Sequence, residues 1–198
     1  MNRDGVRIIG IDPGSVRCGY AVIDVLDASV CVVKCGTIDV RQNSLTFVDR
    51  LKYIYDRITD IIILTGPDAA AIETAFYSRN PQSLIKLSMA RTAAMLAIIN
   101  QRISISEYSP REVKQKTTGS GNATKQKVRL IIGSQLDINL ENEPTDTSDA
   151  IAIAVFHYHC TMKGTNNFRN GLSKYTKGRK KKDWETFLLN NAEKIIRL

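Results

Sequence analysis

Long apolar runs, paired cysteines and histidines are all scarce in this 198-residue sequence. No uninterrupted apolar stretch approaches the ~18 residues typical of a membrane-spanning helix, and residues 1–5 lack the apolar core of a signal peptide. The four cysteines form no Cys-x-x-Cys pair, and the two histidines, His157 and His159, lie in one short stretch, which excludes ordinary zinc-site spacing. We therefore expect a cytoplasmic protein without a membrane segment, with its cysteines reduced.

The charge is distributed unevenly along a chain of otherwise globular composition. Hydrophobic residues make up 43% of the sequence and charged residues 24%, which excludes a wholly disordered chain. Residues 161–198 hold ten Lys or Arg and three Asp or Glu, whereas residues 1–160 hold 18 basic and 17 acidic groups. The sequence therefore predicts one domain over 1–162, followed by a basic, partly flexible tail over 163–198.

A second concentration of positive charge lies within the domain. Residues 111–129 contain six basic groups and a single acid. A basic patch combined with a basic tail favours a polyanionic partner, most often a nucleic acid. A solvated surface that keeps the protein soluble accounts for the charge alone equally well.

The apolar periodicity alternates between strand and helix patterns, which is typical of a mixed α/β fold. The first three strands are joined by short connections and predict an antiparallel meander. Asn43 or Ser44 is a candidate cap for the first helix, and Ser109 begins a capping-box motif. We expect strands at 7–12, 19–25, 30–38, 69–76 and 102–107, and helices at 45–62, 81–99, from Ser109 to a break at 119–121, from about Thr124, at 146–159 and within 183–198. The prediction is a five-stranded sheet with helices on both faces.

Four acids stand where the ends of these elements should meet. Asp12 ends the first strand, Glu73 lies in the fourth, and Asp146 and Asp149 share one face of the last helix. Apolar residues flank all four, and no neighbouring Lys or Arg in the sequence is an obvious partner, so burying them unpaired would be costly. Divalent cations would solve this problem, and two Mg²⁺ ions about 3.5–4 Å apart hydrolyse phosphodiesters in many enzymes.

Structural explanations compete with the metal site. Asp12 precedes Pro-Gly and is suited to a turn, while Asp146 is suited to a helix cap and Asp149 to a helix dipole. Gly10 and Gly14 also fit a phosphate-binding turn. Glu73 has no ordinary structural role in an apolar strand, but the pattern alone leaves both interpretations open.

Four segments resemble, in order, the motifs of RuvC-type Holliday junction resolvases. The resemblance runs from about residue 7 to residue 160 and is carried by residues 9–15 (IGIDPGS) with 18–23 (CGYAVI), 71–76 (AIETAF), 113–125 (VKQKTTGSGNATK) and 145–155 (TDTSDAIAIAV). It implies an RNase H-like fold and a homodimer that resolves four-way DNA junctions by paired symmetric nicks, in recombination and repair. It also implies that Asp12, Glu73, Asp146 and Asp149 bind two Mg²⁺ ions, with Mn²⁺ as an alternative, and that a branch-migration helicase is a partner.

The resemblance assigns further residues to the DNA. Lys114 and Lys125 match lysines near the scissile phosphate, and Phe76 matches an aromatic that stacks on an unpaired base, with Tyr77 a second candidate. General DNA contacts are expected from Arg111, Lys116, Lys127 and Arg129, and a backbone contact from Arg17. The apolar helix 81–99 is the candidate dimer interface, although burial within one subunit explains its composition nearly as well.

Three other functions fit part of the pattern. Another RNase H-like nuclease, such as a ribosomal-RNA-processing enzyme, shares an early Asp, a strand Glu and a late Asp. An actin-like or sugar-kinase-type ATPase also opens with Gly-Ile-Asp but needs a longer chain. A junction-binding module without catalysis is the third, and the presence of all four acids argues against it.

Overall fold

A computed structural model describes residues 5–41, 46–74 and 80–162. Five strands form one mixed sheet in the order β3-β2-β1-β4-β5. The strands are β1 (Val6–Asp12), β2 (Arg17–Leu26), β3 (Ser29–Asp39), β4 (Ala69–Glu73) and β5 (Ser104–Tyr108). The helices are α1 (Phe47–Thr65), α2 (Pro81–Asn100), α3 (Pro110–Thr118), α4 (Lys125–Leu136) and α5 (Thr145–Met162). The predicted mixed five-stranded sheet is thus confirmed.

Strand β1 lies at the centre of the sheet and connects its two halves. It pairs antiparallel with β2, which pairs antiparallel with β3, so the predicted meander is confirmed. On its other side β1 pairs parallel with β4, and β4 pairs parallel with β5. Because parallel strands end at the same edge, Asp12 and Glu73 finish at one edge of the sheet.

The helices cover both faces of the sheet, as predicted. Ile8 and Ile9 are successive residues of β1 and point to opposite faces, in accordance with the two-residue period of a strand. Ile8 joins a buried cluster with α3, α4 and α5, whereas Ile9 joins a cluster with α1 and α2. The candidate site acids of α5, Asp146 and Asp149, therefore belong to the face opposite α1 and α2.

Local sequence determines most helix ends. Ser109 caps α3 in a reciprocal capping box with Glu112, as predicted, and Gly119 ends that helix in the left-handed conformation, at φ 78°. The predicted cap of α1 is wrong, because Thr46 caps this helix through a box with Asp49. The capping box requires an acceptor at the cap and an acid three residues later, and Thr46 and Asp49 meet that requirement.

Some predicted boundaries and residues differ from the structure or cannot be compared with it. Strand β4 ends at Glu73, and the predicted site residues Phe76 and Tyr77 lie outside the described residues. Strand β5 begins two residues later than predicted, because Arg102 adopts the left-handed conformation of a turn, at φ 61°. The predicted tail over 163–198 and the helix predicted within it also lie outside the described residues, so the division at residue 162 stays a prediction.

Helix α2 is only partly buried, although its sequence is apolar around most of its circumference. Its buried residues are Ala90, Ala94, Ala97 and Ile98. By length and hydropathy α2 would be able to cross a bilayer, but these four residues pack it into the cluster formed with the sheet and α1. Its exposed large apolar side chains are Ile85, Met89, Leu96 and Ile99.

Candidate active site

Two glycines allow α5 to rest directly on the sheet. A Cβ atom at Gly10 would lie 2.3 Å from the carbonyl oxygen of Ala150, and one at Gly19 would lie 2.0 Å from that of Asp146. Any larger residue at either position would push the helix away. The first turn of α5 therefore lies beside the end of β1, and Gly10 is explained by this packing rather than by a phosphate-binding turn.

The aspartates at this junction form a compact cluster. One carboxylate oxygen from each of Asp12, Asp146 and Asp149 lies within 4.8 Å of the others. Their side chains are 13%, 24% and 11% exposed, respectively. The structure thus brings together three of the four acids singled out in the sequence, at a separation suited to a shared cation.

Glu73 lies beside this cluster rather than within it. It lines a cavity of about 60 Å³ together with Lys114, Lys125 and Asp149. Burial raises the pKa of Glu73 to about 7, and the negative charge of Asp149 adds to the increase. The fourth acid is therefore close enough to the other three to interact electrostatically with them.

Lys125, which the family resemblance assigns to the site, places positive charge beside the aspartates. Its Nζ atom lies 2.5 Å from Asp149 Oδ2, 3.8 Å from Asp146 Oδ1 and 3.9 Å from Asp12 Oδ2. The sequence offered no cationic partner among the neighbours of these acids, and Lys125 is not one of those neighbours. The partner lies more than twenty residues away in the sequence and reaches the cluster because α4 begins there.

One lysine does not neutralise the cluster. Burial, followed by the charge of Glu73, raises the pKa of Asp12 well above its ordinary value, even though Lys125 opposes the change. Burial also raises the pKa of Asp149 despite its ion pair. Uncompensated negative charge among hard oxygen ligands is the environment that a divalent cation stabilises, so these residues fit a metal site.

Arg91 contacts Glu73 and was not among the predicted site residues. Its Nε–H donates to the carbonyl oxygen of Glu73 at 3.1 Å, and its guanidinium pairs with Glu107. Arg91 and Glu73 are far apart in the sequence, so no local pattern predicts this contact. The available signal was weak: Arg91 is one of two basic residues, with Lys86, in a mostly apolar helix.

The predicted DNA contacts occupy different environments. Arg111 and Lys116 are exposed and line a groove of about 710 Å³ with Phe156, and Lys127 is exposed in the first turn of α4. Arg129 is half-buried and donates to the carbonyl oxygen of Glu141 at 3.2 Å. Arg17 pairs with Asp39 at 3.1 Å. Arg129 and Arg17 thus have protein partners, whereas the first three side chains lie at the surface.

His157 packs inside the protein, away from the acids. Its side chain is buried, and Nδ1 lies 2.8 Å from the hydroxyl of Tyr108 at the end of β5. Burial lowers the pKa of His157 to about 4. His157 is therefore part of the interior packing near the end of β5.

Comparisons with known proteins identify the family to which this chain belongs. The family model described as crossover junction endodeoxyribonuclease RuvC matches residues 8–157. The RuvC of Prosthecochloris aestuarii is 37% identical over 190 residues, which cover 96% of this chain and 99% of that protein. The RuvC of Salinibacter ruber is 36% identical, over 95% of this chain and 98% of that protein. The similarity to the first relative extends into residues 163–198, beyond the segment that the family model matches.

Solved structures agree with the sequence comparisons. The structure of T. thermophilus RuvC in complex with a Holliday junction substrate superposes with a TM-score of 0.74 at 27% identity, over 81% of this chain and 97% of that chain. The yeast mitochondrial Holliday junction resolvase Ydc2 has a TM-score of 0.58 at 16% identity, over 84% and 86% of the two chains, which supports the fold alone. Together with the acidic cluster at the edge of the sheet, these matches show that the chain belongs to the RuvC family of crossover junction endodeoxyribonucleases.

Proposed function

We propose that this protein is a metal-dependent endonuclease that resolves four-way DNA junctions by paired symmetric nicks, in the cytoplasm, during recombination and repair. The observation that carries the proposal is the clustering of the Asp12, Asp146 and Asp149 oxygens within 4.8 Å, beside Glu73. A nuclease needs such a cluster, whereas a module that only binds junctions does not. The names of the relatives supply the substrate class.

The four carboxylates are the proposed ligands of two Mg²⁺ ions, with Mn²⁺ as an alternative. Carboxylate oxygens suit both ions, and the residual negative charge described above favours a divalent cation. Bound ions of this kind lower the pKa of an attacking water and offset the charge on the leaving 3′-oxygen. The protein's own contribution is to hold the oxygens on three rigid elements, β1, β4 and α5, so that little reorganisation is needed.

Lys114 and Lys125 are proposed to contact the scissile phosphate. Both line the cavity that contains Glu73 and Asp149, and they project from α3 and α4 on either side of the Gly119 break. A lysine ammonium is a point charge that can hold a phosphate oxygen and stabilise charge in the transition state. Lys125 is half-exposed and so can reach either the acids or a bound backbone.

Other side chains are proposed to hold the junction around the site. Arg111, Lys116 and Lys127 would contact backbone phosphates, which supply affinity that falls with salt. Phe76 and Tyr77 remain candidates for stacking on an unpaired base. Arg129 and Arg17 are weaker candidates, because their guanidinium groups already have protein partners.

A homodimer is proposed to form through the outer face of α2. Ile85, Met89, Leu96 and Ile99 are spaced at four, seven and three residues, so they form one stripe along the helix, and each is at least 44% exposed. A second copy of this chain is the natural partner, because an isologous dimer gives two active sites related by a two-fold axis. Four-way junctions have a similar symmetry. Association with a branch-migration helicase stays a prediction of the family resemblance.

The test compares a synthetic four-way junction with linear duplex DNA and single-stranded RNA. Each is incubated with the wild type and with Asp149→Asn, in Mg²⁺ and in EDTA. We expect paired symmetric nicks in the junction alone, abolished by the substitution and by EDTA, while the variant still binds junctions. Trimming of RNA with an intact junction would contradict the proposal and favour a processing nuclease.

A further inference from the structure

We propose that Arg91 is a positioning residue that holds Glu73 in place for metal binding. Its guanidinium connects three elements: it extends from α2, donates through Nε to the Glu73 carbonyl at the end of β4, and pairs through Nη2 with Glu107 of β5. The side chain is only 17% exposed. This inference rests on the proposed function, since it takes Glu73 to be a metal ligand.

The hydrogen bond from Arg91 reaches Glu73 at the last residue of strand β4. This residue is the last of β4 and pairs with Tyr108, the last residue of β5. Strand β4 ends at Glu73, and the next backbone amide, that of Thr74, donates to the Tyr108 carbonyl at 2.9 Å. A terminal strand residue has freedom that an interior residue lacks, and a donor on its carbonyl restricts the peptide plane from which the side chain projects.

Glu107 and Glu73, the two partners of Arg91, lie in different environments. Loss of the Arg91 guanidinium should therefore affect the metal site and the stability of the fold to different extents. Glu107 is 48% exposed, so water can solvate it if the ion pair is lost. Glu73 is largely buried at its carboxylate, and burial raises its pKa, so small displacements change its interactions with the aspartates. Loss of the guanidinium should therefore affect the metal site more than the fold.

An arginine is specifically suited to this position. Its planar guanidinium presents several donors in fixed directions, so one side chain can serve a carbonyl and a carboxylate together, whereas a lysine is a single point charge. Arg91 also belongs to the helix that carries the exposed stripe of Ile85, Met89, Leu96 and Ile99. A partner subunit packed on that stripe would fix α2 and, through Arg91, the end of β4.

The experiment measures Mg²⁺ binding to the full-length protein without DNA, by calorimetry, together with kcat and KM on a four-way junction. The variants are Arg91→Gln, Arg91→Lys and Glu107→Gln, and the control is Arg57→Gln, which removes an exposed ion pair with Asp60 on α1. Mutation of a group that orients a metal ligand typically lowers metal affinity or activity by about 10–100-fold. We expect Mg²⁺ affinity and kcat to fall by about tenfold or more in Arg91→Gln, and by less in Arg91→Lys, with KM for the junction unchanged.

Glu107→Gln and Arg57→Gln should bind Mg²⁺ like the wild type, because the Arg91 contact with Glu73 remains. The proposal is overturned if both Arg91 variants bind Mg²⁺ normally, or if Glu107→Gln loses as much affinity as Arg91→Gln. If Arg91→Gln does not fold, Arg91→Lys and Glu107→Gln decide by the same comparison. A Glu73→Gln variant that binds Mg²⁺ and cuts normally would instead refute the proposed metal site, which keeps the two failures distinct.

Discussion

The ammonium of Lys125 and the carboxylate of Asp149 lie 2.5 Å apart, although 24 positions separate them in the sequence. The same ammonium lies within 4 Å of Asp12 and Asp146. A side chain of the protein thus supplies positive charge to the acids proposed to bind Mg²⁺. A lysine and a metal ion would compete for the same oxygens, which has measurable consequences.

Lys125→Met is expected to make the protein more dependent on divalent ions for its stability. Removing one member of a buried ion pair costs about 3–5 kcal/mol, and the half-exposed position of Lys125 reduces this to about 1–2 kcal/mol. Mg²⁺ should then raise the melting temperature of the variant more than that of the wild type, while cleavage falls. Thermal melting with Mg²⁺ and with EDTA measures this, and Lys127→Met is the control. Equal Mg²⁺ stabilisation of both proteins would argue against competition.

Gly10→Ala is expected to displace α5 and damage the metal site. The added Cβ would lie 2.3 Å from the Ala150 carbonyl oxygen and 2.9 Å from the Cβ of Ala154, and backbone cannot give way as a flexible side chain can. Overpacking of this kind costs about 1–3 kcal/mol. Urea unfolding and Mg²⁺ calorimetry should both show a loss. In the matched Gly119→Ala variant the new Cβ meets nothing within 4 Å, so backbone strain should lower its stability while Mg²⁺ binding persists.

The sequence predicts features that depend on neighbours along the chain. The Ser109–Glu112 capping box needs partners three residues apart, and the meander needs short connections, so both are visible locally. The acid at position 73 is conspicuous because its neighbours are apolar. The contacts of Lys125 with Asp149 and of Arg91 with Glu73 arise only when distant elements pack, and no local pattern encodes them.

His157 is expected to make stability fall as the pH is lowered. Its pKa is about 4 in the folded protein against an ordinary value of 6.5, so protons bind more tightly to the unfolded chain. The stabilisation is complete above pH 6.5 and is lost as the pH falls toward 4, with about 2 kcal/mol lost by pH 5. Unfolding free energies at pH 7 and pH 5 measure this.

The wild type is compared with the His157→Gln variant, which keeps a polar partner for Tyr108 and removes the titrating group. Other groups, including the buried acids, titrate in both proteins and cancel in the difference. The wild type should therefore lose about 2 kcal/mol more than the variant between pH 7 and pH 5. Parallel losses in the two proteins would show that His157 is not the titrating group.

Leu96→Lys is expected to separate the proposed dimer into monomers. Leu96 lies within the exposed stripe of α2 and is 49% exposed in the isolated chain, so a lysine there is tolerated by the fold but is costly inside an apolar interface. Sedimentation should show the loss of the dimer, with an unchanged circular dichroism spectrum. Leu64→Lys on α1, at 72% exposure, is the matched control.

In a supercoiled plasmid with an extruded cruciform, a dimer cuts both strands and yields linear product. The Leu96 variant should yield nicked circles or intact plasmid instead, because one active site cannot make paired cuts in a single encounter. Linear product from a monomeric variant would show that α2 does not coordinate the two nicks.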